Sequence, residues 1–352
     1  MTLVQISTQR LGRWLAALLL LPAQQALSLS DQILKDVDYP VLPLLGPFLT
    51  CPAHSHQLPL PNEQHGERPV WEMKPSPGKG RGLFAAQVIL EGTHVLVEKP
   101  LLVVSPPALV PGMGYSLSAM AADVNQEYSR LSPEQQEEYL SCHEQRLEGD
   151  SQDESGRLMA ILRSNAYNLD DGRVAIYPKV ALINHSCQPN VLNADNGGTR
   201  IIVATRDIQE GEEIFTTYIP LLLDTESRNQ RLRPYGFRCN CAACRTGASD
   251  TRRVQAGKDL RELESALQTP GKKTRLARNK LMSTAQALAE YVEEEGLADY
   301  YAKTSRLAFD HAAMAHNESN ARKWGRKHLK HHEMVDRNSR ESQKAQGLLD
   351  SL

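Results

Sequence analysis

Asn184-His185-Ser186-Cys187 and, about fifty residues on, Cys239-Asn240-Cys241-Ala242-Ala243-Cys244 are the two runs that decide how this chain reads. A C-x-C-x-x-C cluster with one distant cysteine supplies four thiolates, the number a closed structural zinc site takes. Such a knot pins a C-terminal segment over the Asn-His turn and encloses a site. Between the halves stands Glu212-Glu213-Ile214-Phe215-Thr216-Thr217-Tyr218, and Phe237 comes just before the cluster. Of the six cysteines, Cys51 and Cys142 remain outside it. Disulfides are the competing reading for the clustered set. The chain, however, is long enough to bury a core and too poor in cysteine to need a disulfide scaffold, which favours zinc.

At 352 residues, 41% hydrophobic and a net charge of −2, the composition is that of an ordinary globular protein with room for two domains or one large one. The near-neutral balance gives no electrostatic case for nucleic-acid binding. The basic run Arg322 to His332 invites one, but acids lie on both sides of it and its spacing suits a solvated helix face. Near the N-terminus, Arg10 and Arg13 precede the apolar run Trp14 to Leu21, and small residues follow at Ala26, Ser28 and Ser30. That is the order of a secretory signal peptide, too short for a membrane-spanning helix. Zinc thiolates favour a reducing compartment, nucleus or cytoplasm. A glycan on the sequon at Asn184 would also destroy a tight turn, so the two indications conflict.

Residues 1–30 therefore read as signal-like and 31–67 as a Pro- and His-rich lead-in. A β-rich unit spans 68–245, interrupted by a helical insert at about 115–163 and closed by a zinc segment at 228–245. In the insert, Leu131-Ser132-Pro133-Glu134 is a helix start. Strands are expected at 95–98, 101–104, 173–177 and 199–204, and from Glu213 to Ile219 after a turn at Glu210-Gly211. Residues 246–352 read as helical hairpins, with Leu281, Ala285, Leu288 and Val292 on one face and Gly296 ending that helix.

Taken in order, Gly80-Arg81-Gly82, Asn184-His185-Ser186-Cys187, Gly211-Glu212-Glu213-Ile214 running to Tyr218, and Tyr235-Gly236-Phe237 before the cysteines resemble SET-domain protein lysine methyltransferases. The likeness covers about residues 68–245 and is nearest to fungal SET-domain proteins allied to the SMYD branch. It departs from that branch in lacking the second, cysteine-rich MYND zinc module. The resemblance implies an α+β fold, with a β-rich SET unit, a knot-like C-terminal threading, a post-SET zinc site held by Cys187, Cys239, Cys241 and Cys244, and a helical C-terminal region. It implies transfer of a methyl group from S-adenosylmethionine to a lysine of a protein, histone or other. The alternatives are a catalytically silent SET-fold scaffold and a secreted zinc-stabilised protein of another function.

Carried residue by residue, the resemblance makes Gly80 to Gly82 the loop that approaches the methionine part of the cofactor, flanked by Lys79 and Arg81. Either cation could meet the cofactor carboxylate or be simply solvated. Asn165 matches a cofactor-contacting Asn, or is a turn residue. Asn184 and His185 would hold the cofactor, Asn184 offering both a donor and an acceptor. A lone histidine would be read as a satisfied core residue. Phe237 would stack on the adenine, or pack beside the zinc. Tyr218 and Tyr235 would line the lysine channel, with Tyr218 orienting the amine. The zinc, with four positions filled, would be structural. Substrate protein, number of methyl groups and oligomeric state are not written in the residues.

Overall fold

The computed structural model describes residues 69–105, 117–147, 149–169, 171–268 and 273–352. The signal-like run 1–30, the lead-in to residue 67 and Cys51 lie outside the described residues. The chain opens with the hairpin β1 (Trp71–Ser76) and β2 (Gly80–Ala85), paired antiparallel from Trp71↔Ala85 to Ser76↔Gly80. Gly80 to Gly82 is thus the start of a strand; the turn lies before it, where Lys79 N–H donates to Ser76 O at 3.0 Å. Strand β3 (His94–Glu98) leads to β4 (Leu102–Val104).

The insert is three helices: α1 (Leu117–Ser129), α2 (Pro133–Leu140) and α3 (Glu154–Asn165). Helix α2 begins as its sequence demands. Ser132 and Gln135 form a reciprocal capping box, and Pro133 takes the first turn, where its missing N–H costs nothing. Strands β5 (Ala166–Asn168) and β6 (Val174–Ile176) follow, then β7 (Asn184–His185), β8 (Val191–Asn196), β9 (Thr199–Ala204) and β10 (Phe215–Thr216). Beside the hairpin there are a β3-β9-β8 sheet, a β4-β6-β5 sheet and the parallel pair β7-β10.

The strand expected from Glu213 to Ile219 is only β10. The reason is a change of partner: Ile214 N–H bonds Leu83 O of β2 at 2.8 Å, whereas Phe215 and Thr216 pair with Asn184 and His185 of β7. One ladder cannot serve both directions, so the chain bends between them and Tyr218 stands beyond the strand. Segments far apart in sequence are thereby laid side by side, with Ser186 N–H on Thr216 O at 2.9 Å. A 3₁₀ turn, Val180–Leu182, aims β7. Its free amides are received by the buried Glu98 carboxylate, from Lys179 N at 3.0 Å and Val180 N at 2.8 Å. Burial raises the pKa of that carboxyl against these bonds.

After α4 (Thr225–Leu232) and the short α5 (Ala242–Thr246), the chain is helical: α6 (Asp250–Gln268), α7 (Arg275–Glu294), α8 (Tyr301–Met314), α9 (Glu318–Asp336) and α10 (Arg340–Asp350). Ala285, Leu288 and Val292 are buried on one face of α7 as their spacing requires. Gly296, at φ 68°, ends it in a left-handed cap. In α9 the basic run is largely paired, Arg322 with Glu318 at 2.7 Å, Lys323 with Glu290 at 3.3 Å, and Lys327 with Glu293. The fold is α+β, with β-sheets in the first part and helices in the second.

Candidate active site

Strand β2, the loop after α2, strand β7 and the residues after β10 meet at one place. Asn184 donates both amide hydrogens inward, to Arg81 O at 2.9 Å and to Glu213 Oε1 at 2.8 Å. The other oxygen of Glu213 takes Lys79 Nζ at 3.2 Å. Gly82 makes this possible: a Cβ there would sit 2.6 Å from Glu213 Oε1 and 2.8 Å from Asn184 Nδ2. With its donors spent, Asn184 presents only Oδ1, so it suits a ligand that offers N–H groups. Neither neighbouring cation is idle, since Arg81 donates to Ser141 O at 2.5 Å.

Asn165 is the buried last residue of α3, not a turn residue. Its Nδ2 donates to His143 O and Ile161 O, both at 2.7 Å, and ties the loop after α2 to that helix. The structure therefore brings Lys79, Arg81 and Asn184 together directly, and Asn165 through the same loop that Arg81 holds.

His185 is buried, and burial pushes its pKa down to about 3, so the ring is neutral. Nδ1 accepts the backbone N–H of Tyr218 at 3.1 Å, which puts the ring proton on Nε2, 3.4 Å from Cys187 Sγ. The ring thus connects the cysteines to the backbone of Tyr218, and both its nitrogens are occupied by protein.

Tyr218 donates its hydroxyl hydrogen to Ile183 O at 2.8 Å. Its ring lies 5.2 Å from Tyr235, 5.4 Å from His185 and 6.4 Å from Phe237, centroid to centroid. Burial raises the Tyr218 phenol well above its ordinary range, and that of Tyr235 as well. Tyr218, Tyr235 and Phe237 are half-buried, packed against one another. Tyr167, on β5, lies near enough for its charge to be felt by the Tyr218 hydroxyl, and for that of Tyr235 to be felt by its own. Sequence reading passed over Tyr167 although it stands two residues after Asn165. It also passed over Glu213, whose signal was an acid beside the Gly211 turn.

The four cysteine sulfurs lie within 4.8 Å of one another, Cys187 3.9 Å from Cys239 and 3.5 Å from Cys244. A tetrahedron with Zn–S bonds of about 2.3 Å has edges of about 3.8 Å, so the residues present fit zinc. Hydrogen bonds from Cys187 and Cys239 hold the Cys241 thiol well below its ordinary range, while its bond to Cys239 and its burial raise Cys187. The buried Arg228 donates to Cys244 Sγ at 3.6 Å and pairs with Asp250 at 3.2 Å, placing a cation beside the thiolates. No disulfide joins any of the described cysteines.

Comparison with known proteins agrees with this geometry. Residues 80–219 match the SET domain family. The chain is 42% identical over 107 residues to human N-lysine methyltransferase SMYD2 and 40% identical over the same length to SMYD2-B of Xenopus laevis. It is 30% identical over 203 residues to the histone-lysine N-methyltransferase set5 of Schizosaccharomyces pombe. These matches cover 29%, 29% and 57% of this chain, and 25%, 25% and 57% of the respective relatives, so the chain spans about a quarter to a half of the curated relatives it matches. Residues 80–219 are a SET domain, and the chain is a homologue of the SMYD2 and Set5 lysine methyltransferases.

Proposed function

We propose that this chain transfers a methyl group from S-adenosylmethionine to the side-chain amine of a lysine in a protein substrate. The observation that carries the reading is the Tyr218 hydroxyl. Its hydrogen is committed to Ile183 O, which leaves its lone pairs as acceptors beside the rings of Tyr235 and Phe237. A phenol so placed accepts an N–H from the entering amine and turns the nitrogen lone pair along the channel. It does not act as a base, because burial keeps it protonated.

S-adenosylmethionine supplies, when bound, an electrophilic methyl group on a sulfonium. Asn184 Oδ1 would receive its ammonium and Asn165 Oδ1 would face the same end. Phe237 would cover the adenine, and Lys79 and Arg81 would compensate its carboxylate at the rim. His185 holds Tyr218 in place through the backbone. The aromatic walls exclude water, which disfavours the charged form of a lysine whose ordinary pKa is about 10.4. Most of the rate gain is positional. Zinc held by Cys187, Cys239, Cys241 and Cys244 would fix the segment that bears Tyr235 and Phe237.

Protein is the substrate class, and histones are the first to try because one homologue is named for them. Incubation of the zinc-loaded chain with methyl-labelled S-adenosylmethionine and a histone mixture or a peptide library should transfer label to lysine. A chain that binds S-adenosylmethionine and labels nothing in a broad library would be a scaffold.

A further inference from the structure

The face of β8 turned toward the C-terminal helices borders a cavity of about 190 Å³. That exceeds the roughly 150 Å³ that takes up a benzene ring, and so admits one long side chain. Its floor is β8, at Leu192, Ala194 and Asp195. Its walls come from the α7–α8 connection at Asp299 and from α9 at His331 and His332. Among the described residues, no lysine or arginine lines it. Burial keeps both histidines largely neutral, their pKa values displaced downward.

Of the cavity's acids, Asp195 faces Arg200 at 4.0 Å and Glu341 faces Lys344 at 3.5 Å. Asp299 makes no hydrogen bond or ion pair among the described residues. It is accessible from the cavity, yet the protein around it raises its carboxyl to about 7, with Arg200 opposing. Water reaches Asp299 now, and a cation entering the cavity would supply the countercharge that a lining of three acids and two neutral histidines does not.

A chain of contacts runs from the cavity to Tyr167. Arg200 is the link, its guanidinium 5.0 Å from the Tyr167 ring on one side and its pairing with Asp195 on the other. On the far side, Tyr300, next to Asp299, receives Leu221 N–H on its hydroxyl at 3.0 Å, three residues past Tyr218. We propose that this cavity is a specificity subsite, in which Asp299 receives the guanidinium or ammonium group of a second basic side chain on the peptide whose lysine enters the channel. The inference rests on the methyltransferase reading and narrows its substrate class to peptides with paired basic residues.

The test uses the full zinc-loaded chain and an array of lysine-centred peptides in which each flanking position is varied. Methyl transfer is measured by label, and peptide binding by fluorescence anisotropy without methyl donor. At one flanking position wild type should prefer Arg or Lys over Ala by tenfold or more in both readouts. Asp299→Asn should bring that ratio close to one with S-adenosylmethionine affinity unchanged, and Asp299→Glu should restore part of it. Methylation with no cationic preference, or a preference that survives Asp299→Asn, overturns the subsite and leaves the methyltransferase reading standing. Cation-dependent binding lost in Asp299→Asn, with no methylation by wild type, supports the subsite and removes the enzyme reading. Asp299 also lies at the N-terminal end of α8. A role confined to that helix end would lower the melting temperature and leave the preference intact, which again overturns the subsite.

Discussion

Tyr218 shows how one side chain divides its bonding. Its donor goes to Ile183 O and its backbone N–H to His185, so only its acceptor is left for a substrate. Tyr218→Phe keeps the ring contacts with Tyr235 and Phe237 and should fold. Leaving Ile183 O unpartnered should cost about 1–3 kcal/mol of stability. Methyl transfer should fall roughly ten- to a thousand-fold, the range for one orienting bond lost in the transition state, with S-adenosylmethionine affinity retained. Single-turnover rates and calorimetry on the same samples decide it, and an unchanged rate would remove the hydroxyl from the mechanism. Tyr218, Asn184 and the cysteines stood out in the sequence because each sits in a short contiguous motif. What Asn184 does with its amide could not, because its partners Arg81 and Glu213 are 103 and 29 positions away. Tyr167 and Arg228 were hidden for the same reason: an aromatic on a short strand and an arginine in a polar helix carry no local mark of what they will face.

Among the elements, the cysteine-rich segment after α4 is the one whose order should depend on a metal at the four cysteines. Helix α5 has five residues and no side-chain N-cap, too little to hold itself. Cys241→Ser should release about one zinc per chain, measured by elemental analysis, and reduce the near-UV dichroism of Tyr218, Tyr235 and Phe237; folded, active wild type without zinc would refute the site. Helix α9 gives a prediction in pH. Burial first of all lowers the pKa of His328 to about 3 and that of His331 to about 4. The unfolded chain takes up these protons near pH 6.5 and the folded chain does not, so their stabilising effect is complete above that pH and is lost as pH falls toward 4. Each histidine contributes up to about 1.4 kcal/mol per pH unit in that window. Protonation of the thiolates acts in the same direction, so the measurement is a difference. Urea midpoints from pH 7.5 to 5 should fall less steeply in His328→Gln than in wild type. Helix signals were legible here down to Ser132 and Gly296, because capping is local. The strand from Glu213 was misjudged because its change of partner at Phe215 is a property of the tertiary fold.

Over the whole molecule, the SET domain and the helices do not have separate interiors. Ile219, Leu221 and Leu222 belong to the same buried cluster as Leu288, Val292, Leu307 and Trp324. The fully buried Arg253 reaches Leu221 O at 3.4 Å and Glu295 at 3.2 Å. On the other side His94 Nε2 meets Met334 O, and Asn196 Nδ2 donates to Asp336 Oδ2, both at 3.0 Å. A chain cut after residue 246 would expose that apolar surface just past Tyr218. It should aggregate or bind a hydrophobic dye such as ANS, with its near-UV dichroism lost. A monomeric truncated chain with native dichroism would contradict a shared core. The sequence suggested a division near residue 246 because composition changes there; the shared core shows only when the apolar faces on either side are seen to meet. The spacing of the cysteines has a further consequence, in time. Cys187 leaves the ribosome 57 positions ahead of Cys244. At about 5–20 residues per second, the nascent chain spends roughly 3–11 s with an unfinished metal cradle. Throughout that interval the ring of His185 lacks the completed cysteine cluster beside it, so the proposed methyl transfer should begin only after synthesis has passed the last cysteine.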